Sequence, residues 1–402
     1  MTPDAAELHR QARALLRPDV YDYYAGGSGR EATLRANEKA WRRIRLRPRI
    51  FRDVSAVDTS VEAASWAGGR LRTPLAVAPT AFHRLAHPDG EIATAIGAAR
   101  AGALYVMSTR SSRRIEDVAA ASTDAGGTWW FQVYLMRDRE LTAGLVRRAA
   151  AAGAQALVLT ADTPVVGRKG RSKGRSKGDD MVRDADFLVN LGQLADLNAA
   201  ELASDVTFTD IGWLSEISGG LPVVVKGVLR PDDAEACMAH GAVGVIVSNH
   251  GGRQLDRAVP TAWALPGVAA TVRGTRAGSV PVDGAVPVDG AVPVDGAVPV
   301  DGAVSVDGGV RSAEDALAAL TLGAQVVFLG RPVLWALACG GADGVQALLD
   351  GLTDDLRHVM ALAGAACLAD LAGLAEPAFL AGPVPLAVPS LPGAQLRHNV
   401  ES

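Results

Sequence analysis

Short runs of Val, Ile, Leu and Ala, each of strand length, alternate along this chain with Ala-rich amphipathic segments, and Gly or Pro closes most of the pairs. The strand-like runs are Leu75 to Ala78, Ala103 to Met107, Trp130 to Val133, Ala156 to Thr160, Val223 to Lys226, Val243 to Ser248, Val304 to Val306 and Val326 to Leu329. Between most of them lie helical patterns, among them Gly90 to Ala101, Arg139 to Ala152, Pro231 to His240 and Ala313 to Leu322. Runs that are apolar at successive positions read as parallel strands buried on both faces, and eight such units close into an α/β fold, the (β/α)8 or TIM barrel. An open doubly wound sheet would carry a Gly-rich dinucleotide loop after an early strand. Gly26-Gly27-Ser28-Gly29 instead follows a Tyr-rich helical segment.

At 402 residues, 49% hydrophobic and 21% charged, the chain has ample material for one large core. No uninterrupted apolar stretch reaches the roughly 20 residues of a membrane-spanning helix. The polar start Met1-Thr-Pro-Asp-Ala-Ala-Glu lacks a signal-peptide pattern, so a cytoplasmic protein without a membrane partner is expected. A formal charge of -4 argues against nucleic acid as the main partner. Cys237, Cys339 and Cys367 are scattered in apolar helical stretches and read as buried thiols, with no metal site. The expected organisation is one barrel over 1–375, opened by a helix from about Asp4 to Leu16 and closed by one from Asp343 to Leu362, then a Pro-rich tail over 376–402.

Chemistry in such barrels sits at the carboxyl ends of the strands. In order, those ends carry Ala78-Pro79-Thr80-Ala81, Ser108-Thr109, Gln132-Val-Tyr134, Thr160-Ala-Asp162, Lys226-Gly227, Ser248-Asn-His250 with Arg253, Asp307-Gly308-Gly309-Val-Arg311 and Gly330-Arg331. Imidazole exchanges a proton near neutral pH, and a guanidinium grips a carboxylate with two hydrogen bonds, so His250 and Arg253 suit removal of a proton from a carboxylate-bearing substrate. Loops after the seventh and eighth strands commonly build a phosphate site, and both pair Gly with Arg here. Hydroxyls, an amide and a lysine on the earlier strands then suit the polar ring system of flavin mononucleotide (FMN). Each residue has a plainer reading: Asp162 as a helix cap, Lys226 as a solvated charge, Arg311 and Arg331 as surface ion pairs, the tyrosines as packing. Their joint occurrence around one rim favours the functional reading.

From about Val20 to about Leu374 the chain resembles the FMN-dependent α-hydroxy acid oxidases and dehydrogenases, a family that includes glycolate oxidase, lactate oxidase, mandelate dehydrogenase and hydroxymandelate oxidase. The most specific element is Ser248-Asn-His-Gly-Gly-Arg-Gln-Leu-Asp256. Tyr21-Asp-Tyr23-Tyr, Ala78-Pro-Thr-Ala81, Thr160-Ala-Asp162-Thr-Pro, Val225-Lys226-Gly and Val306-Asp307-Gly-Gly-Val-Arg311 support it. The resemblance implies oxidation of an (S)-2-hydroxy acid to the 2-oxo acid, with His250 as base and Asp162 as the carboxylate that orients it. Lys226 would stabilise negative charge on the flavin, Arg253 would clamp the substrate carboxylate, and Tyr23 and Tyr134 would bond its oxygens. Ala78, Pro79, Thr80, Ala81, Ser108, Gln132, Thr160 and Ser248 would contact the flavin ring and ribityl chain; Asp307, Gly308, Gly309, Arg311, Gly330 and Arg331 would hold the ribityl and phosphate. It further implies a homo-oligomer, a tetramer, with oxygen or another electron acceptor as co-substrate. Ala81 leans toward oxygen, and an aryl-substituted acid stands ahead of lactate and glycolate.

Three positions depart from the family's pattern. Where the family usually has a further active-site Arg, this chain has Lys169, which keeps the charge but loses the fork; a basic loop of flexible composition, 168–178, surrounds it. Arg110 stands where family members usually have a neutral pocket residue, and either recruits a second acidic group on the substrate or faces solvent. Finally, Val280-Pro-Val-Asp-Gly-Ala opens five hexamers, of which only the last, from Val304, runs into Gly309-Val310-Arg311; 280–303 is therefore expected to be an insertion before the seventh strand. Two other readings stay open, a flavin-binding protein without turnover and a dehydrogenase passing electrons elsewhere; an isomerase is disfavoured by the His250 and Arg253 pair.

Overall fold

All eight expected runs form strands in the computed structural model, which describes residues 5–63, 66, 69–168, 188–191, 201–274 and 302–375. They are β1 (Leu75–Val77), β2 (Leu104–Ser108), β3 (Trp129–Val133), β4 (Leu157–Thr160), β5 (Val223–Val228), β6 (Gly244–Val247), β7 (Ala303–Val306) and β8 (Val326–Leu329). Every neighbour is parallel, and β8 closes on β1 with Val327 opposite Leu75, so no sheet edge remains. The return helices are α1 (Glu91–Arg100), α2 (Ile115–Asp124), α3 (Arg139–Ala151), α4 (Thr209–Ile217), α5 (Pro231–Ala239), α6 (Thr261–Gly274), α7 (Ala313–Thr321) and α8 (Arg331–Leu362).

Alternation along each strand divides the apolar residues into two sets. Leu75, Val77, Tyr105, Met107, Phe131 and Leu157 pack outward against the helices, whereas Ala76, Leu104, Val106, Trp130, Val158, Val224, Ile246 and Phe328 fill the barrel. Continuing the inward set by one step gives Ala78, Ser108, Gln132, Thr160, Lys226 and Ser248, so strand parity carries the chemistry to the barrel mouth. A hairpin, Val61–Ala63 with Gly69–Leu71, ends just before β1; its apolar residues and Trp66, edge-on to Trp130, join the inner cluster.

Helix α8 is broken at Gly340 and Gly341, whose backbone is non-helical, and the expected helix from Asp343 to Leu362 is its part beyond that break. By length and apolarity α8 could cross a bilayer, but its Val333, Leu334, Trp335, Leu348, Leu349 and Leu356 are buried, and it packs along α1 as a barrel helix does. Cys237 is buried as expected; Cys339 and Cys367 are half-buried, and Cys367 caps the turn Leu368–Leu371 rather than lying within a helix. Three further helices, Ala5–Leu15, Pro18–Ala25 and Ala32–Trp41, precede the barrel. The basic loop beyond Arg168, the repeat up to residue 301 and the Pro-rich tail lie outside the described residues.

Candidate active site

Where β6 ends, the chain makes the tight turn His250–Gly252, with φ of 56° at His250 and 74° at Gly252. The left-handed backbone of a histidine is uncommon, and it turns the ring across the mouth toward β4. There Nδ1 of His250 lies 2.9 Å from Oδ1 of Asp162, and its Nε2 lies 3.4 Å from the hydroxyl of Tyr134. Thr163 donates to the same Asp162 oxygen at 3.0 Å and receives a hydrogen bond from the Gln254 amide at 2.6 Å. Burial raises the pKa of Asp162, but His250 and Lys226 more than offset that and hold it at about 2. Gly227 permits this closeness: it sits at a register shift in β5 with φ of 108°, and a Cβ there would stand 2.6 Å from the Cβ of Asp162.

Lys226 is buried at the end of β5, its Nζ 2.9 Å from Ser248 Oγ and 3.3 Å from Asp307 Oδ2. Burial depresses its pKa, yet Asp307 and Asp162 raise it above the ordinary value, so it is a fixed positive charge. Beside it, Ser108 donates to Gln132 Oε1 at 3.1 Å, and Gln132 Nε2 donates to Thr160 at 3.0 Å. Gln132, Thr160 and Ser248 are buried at this end of the barrel, Gln132 bonding both Ser108 and Thr160, and Ser248 bonding Lys226.

A cavity of about 720 Å³ opens at this end of the barrel, bounded by Tyr23, Ala78 to Ala81, Ser108, Tyr134, Lys226, His250, Arg253, Asp307 to Arg311, Gly330 and Arg331. Arg253 Nη1 donates to the carbonyls of Tyr23, Tyr24 and Gly26, and its guanidinium lies 5.2 Å from the Tyr23 ring centre. Arg331 donates to the carbonyls of Tyr24, Gly26 and Gly251. Burial, with Arg253 and Arg311 nearby, pulls its pKa down to about 9. Arg311 lines the cavity too but already has a carboxylate, Glu38, at 3.1 Å. Such crowding of cations calls for an anion. Asp307 Oδ1 is buried and has no donor among the described residues, as an acceptor waiting for a ligand hydroxyl would be. A phosphate among the arginines, a ribityl hydroxyl on Asp307 and an anionic ring edge on Lys226 fit FMN.

Of the residues expected at the site, Lys169 lies outside the described residues. The others gather around this one mouth. Sequence reasoning gave no role to Thr163 and Gln254, although both lie within quoted motifs. It gave none to His83 either. This residue is fully buried, bonds Thr80 and Thr94, and has its backbone held by the buried Glu91, which also receives Ser112. That cluster ties the loop after β1 to the loop after β2.

The family model described as FMN-dependent dehydrogenase matches residues 12–375. The chain is 39% identical to an L-lactate oxidase of Nostoc sp. over 91% of its length and 95% of the relative's. It is 40% identical to a 4-hydroxymandelate oxidase of Amycolatopsis orientalis, covering 89% and 94%. The crystal structure of a mandelate oxidase superposes with a TM-score of 0.76 at 38% identity, covering 92% of this chain and 97% of the other.

Proposed function

Because the chain belongs to the FMN-dependent dehydrogenase family, we propose that it oxidises an (S)-2-hydroxy acid to the 2-oxo acid at the barrel mouth, with His250 as the base. The observation that carries this reading is the His250–Asp162 contact at 2.9 Å beside the guanidinium of Arg253. An ionised Asp162 only accepts hydrogen bonds, so Nδ1 of His250 carries a hydrogen toward it and Nε2 presents its lone pair to the cavity. Proton transfer from the substrate to Nε2 then makes an imidazolium whose charge Asp162 balances. FMN, when bound, supplies the acceptor for the two electrons released.

Among the described residues Arg253 spends only Nη1 on backbone carbonyls, which leaves the rest of its fork for the substrate carboxylate. Burial pushes the Tyr134 hydroxyl above its usual pKa, only partly offset by Arg110 and Lys226, so it remains a donor to a substrate oxygen near Nε2. Tyr23 walls the same pocket from the amino-terminal side. Lys226 and Ser108 would meet the flavin's polar edge, Asp307 a ribityl hydroxyl, and Gly308, Gly309, Arg311, Gly330 and Arg331 the phosphate. Oxygen as final acceptor, leaving as hydrogen peroxide, is supported by the names of the relatives, two of them oxidases of lactate and 4-hydroxymandelate.

The test is anaerobic addition of (S)-2-hydroxy acids to the purified yellow holoprotein. Bleaching, followed by peroxide on admission of air, is the expected result. A yellow protein that no hydroxy acid bleaches would instead be a flavin binder, and bleaching without peroxide a dehydrogenase.

A further inference from the structure

Five arginines line the cavity, and two of them already hold carboxylates: Arg311 has Glu38, and Arg137 has Glu201 at 3.0 Å. Arg253, Arg331 and Arg110 have none among the described residues. In the proposed oxidation Arg253 meets the substrate carboxylate and Arg331 the cofactor phosphate, which leaves Arg110 as a cation facing the cavity with no anion assigned to it. It is not a loose surface residue. Its backbone N–H donates to Ser108 Oγ at 3.1 Å, its carbonyl accepts from Phe82 at 3.1 Å, and its guanidinium lies 5.7 Å from the ring centre of Tyr134. Tyr134 in turn sets its hydroxyl 3.4 Å from Nε2 of His250, so Arg110 stands one aromatic ring away from the proposed base. Stacking on a ring occupies the face of a guanidinium and leaves its N–H edges for an acceptor.

We infer that Arg110 binds a second carboxylate at the far end of the substrate's side chain, so that (S)-2-hydroxy diacids are preferred over acids with a neutral end. The inference rests on the oxidation proposed above and goes beyond the lactate and 4-hydroxymandelate named for the relatives, which carry one carboxylate each. Arg253 and Arg110 would hold the two ends of one molecule, with its C2 hydrogen and hydroxyl between them at His250 and Tyr134.

The test uses the holoprotein under anaerobic conditions and measures flavin bleaching by (S)-malate, (S)-2-hydroxyglutarate and (S)-2-hydroxyadipate, each against its own ω-amide of nearly equal size. For at least one chain length the diacid should exceed its amide about tenfold or more in second-order rate, as a charge-assisted pair implies. In R110M that ratio should fall toward one, whatever the absolute rates, and R110K should lie between. Absence of a preference at every length, or a preference that survives in R110M, overturns the inference. Should R110M fail to fold or retain flavin, R110K and salt decide: the wild-type ratio must shrink as ionic strength rises, and a constant ratio is equally fatal. (S)-lactate and (S)-mandelate serve as controls. If they bleach the flavin and no diacid is preferred, only the role of Arg110 fails; if nothing bleaches it, the oxidation itself is wrong and this inference falls with it.

Discussion

His250 Nδ1 and Asp162 Oδ1 are 2.9 Å apart although their strands, β6 and β4, are separated in the barrel by β5. The bridge passes over Gly227, the residue at which the β5 register slips, and it meets an imidazole held on a left-handed backbone. A non-glycine residue in that conformation costs on the order of 1–3 kcal/mol and persists where its surroundings fix it. Here the Asn249 cap, Ser248 Oγ on the His250 N–H and the Asp162 carboxylate do so.

Replacing His250 by Gln should cut the rate of flavin reduction by roughly a hundredfold to ten-thousandfold, the usual contribution of a positioned base. Flavin absorbance per protein should persist, since His250 is not assigned to holding FMN. Stopped-flow reduction by a saturating hydroxy acid checks this, and an unchanged rate would remove His250 from the mechanism.

Asp162 predicts a pH dependence of stability. Its pKa is lowered in the folded protein from 3.8 to about 2, so its stabilising contribution is complete above the unfolded value and lost as pH falls from there toward about 2. The full contribution is about 2 kcal/mol, from the conversion of a pKa shift into free energy. Asp162→Asn should therefore be less stable than wild type near neutrality, with the gap narrowing below about pH 4 and nearly closed at about pH 2. Urea titrations at several pH values measure it; a gap that does not change with pH contradicts the assignment.

Lys226→Met should leave Asp307 as a buried carboxylate without its cation. Loss of one partner of a buried pair costs about 3–5 kcal/mol, and flavin content should fall along with stability. Thermal unfolding together with the flavin-to-protein absorbance ratio reports both. Full flavin content in this variant would show that Lys226 is peripheral to the cofactor.

Gly227→Ala places a Cβ 2.6 Å from that of Asp162, at a φ of 108° that side chains resist. The variant should lose about 1–3 kcal/mol of stability. It should also reduce its flavin more slowly, because Asp162 must shift away from His250. Wild-type kinetics in a folded variant would mean that the carboxylate needs no such fixed placement.

Most of the eight strands were legible because they are apolar at three or more successive positions, as a strand buried on both faces is, and are bounded by Gly, Pro or polar residues. The hairpin Val61–Ala63 and Gly69–Leu71 has three residues per strand, too few to display a period. Helix α6 contains Pro266, which reads locally as a breaker. In α8 the glycines at 340 and 341 read as a boundary, and their backbone is non-helical there, although helix resumes directly beyond them. His250, Asp162, Lys226 and Tyr134 were legible as strand-end residues of reactive type. Gln132, Thr160 and Ser248 were legible as strand-end residues, but their hydrogen bonds were not, because parity gives the direction of a side chain and not which neighbour it bonds. The buried set of His83, Glu91 and Ser112 joins two loops, and nothing local in either announces it.

Tyr23 and Tyr24, from before the barrel, line the cavity, and the loop after β6 fastens the segment that carries them. Asn37 and Asn249 exchange amide hydrogen bonds at 2.8 and 2.7 Å, Asp256 caps the backbone of Arg30 and Thr33, and Arg253 holds the carbonyls of Tyr23, Tyr24 and Gly26. These contacts span more than 200 positions along the chain. On a ribosome, then, the opening helices emerge long before the loop that fastens them, and Tyr23 acquires its working position only once more than half of the polypeptide has been made. A truncated nascent product can hold barrel strands without holding a pocket, so enzymatic competence comes late in synthesis rather than growing in step with chain length.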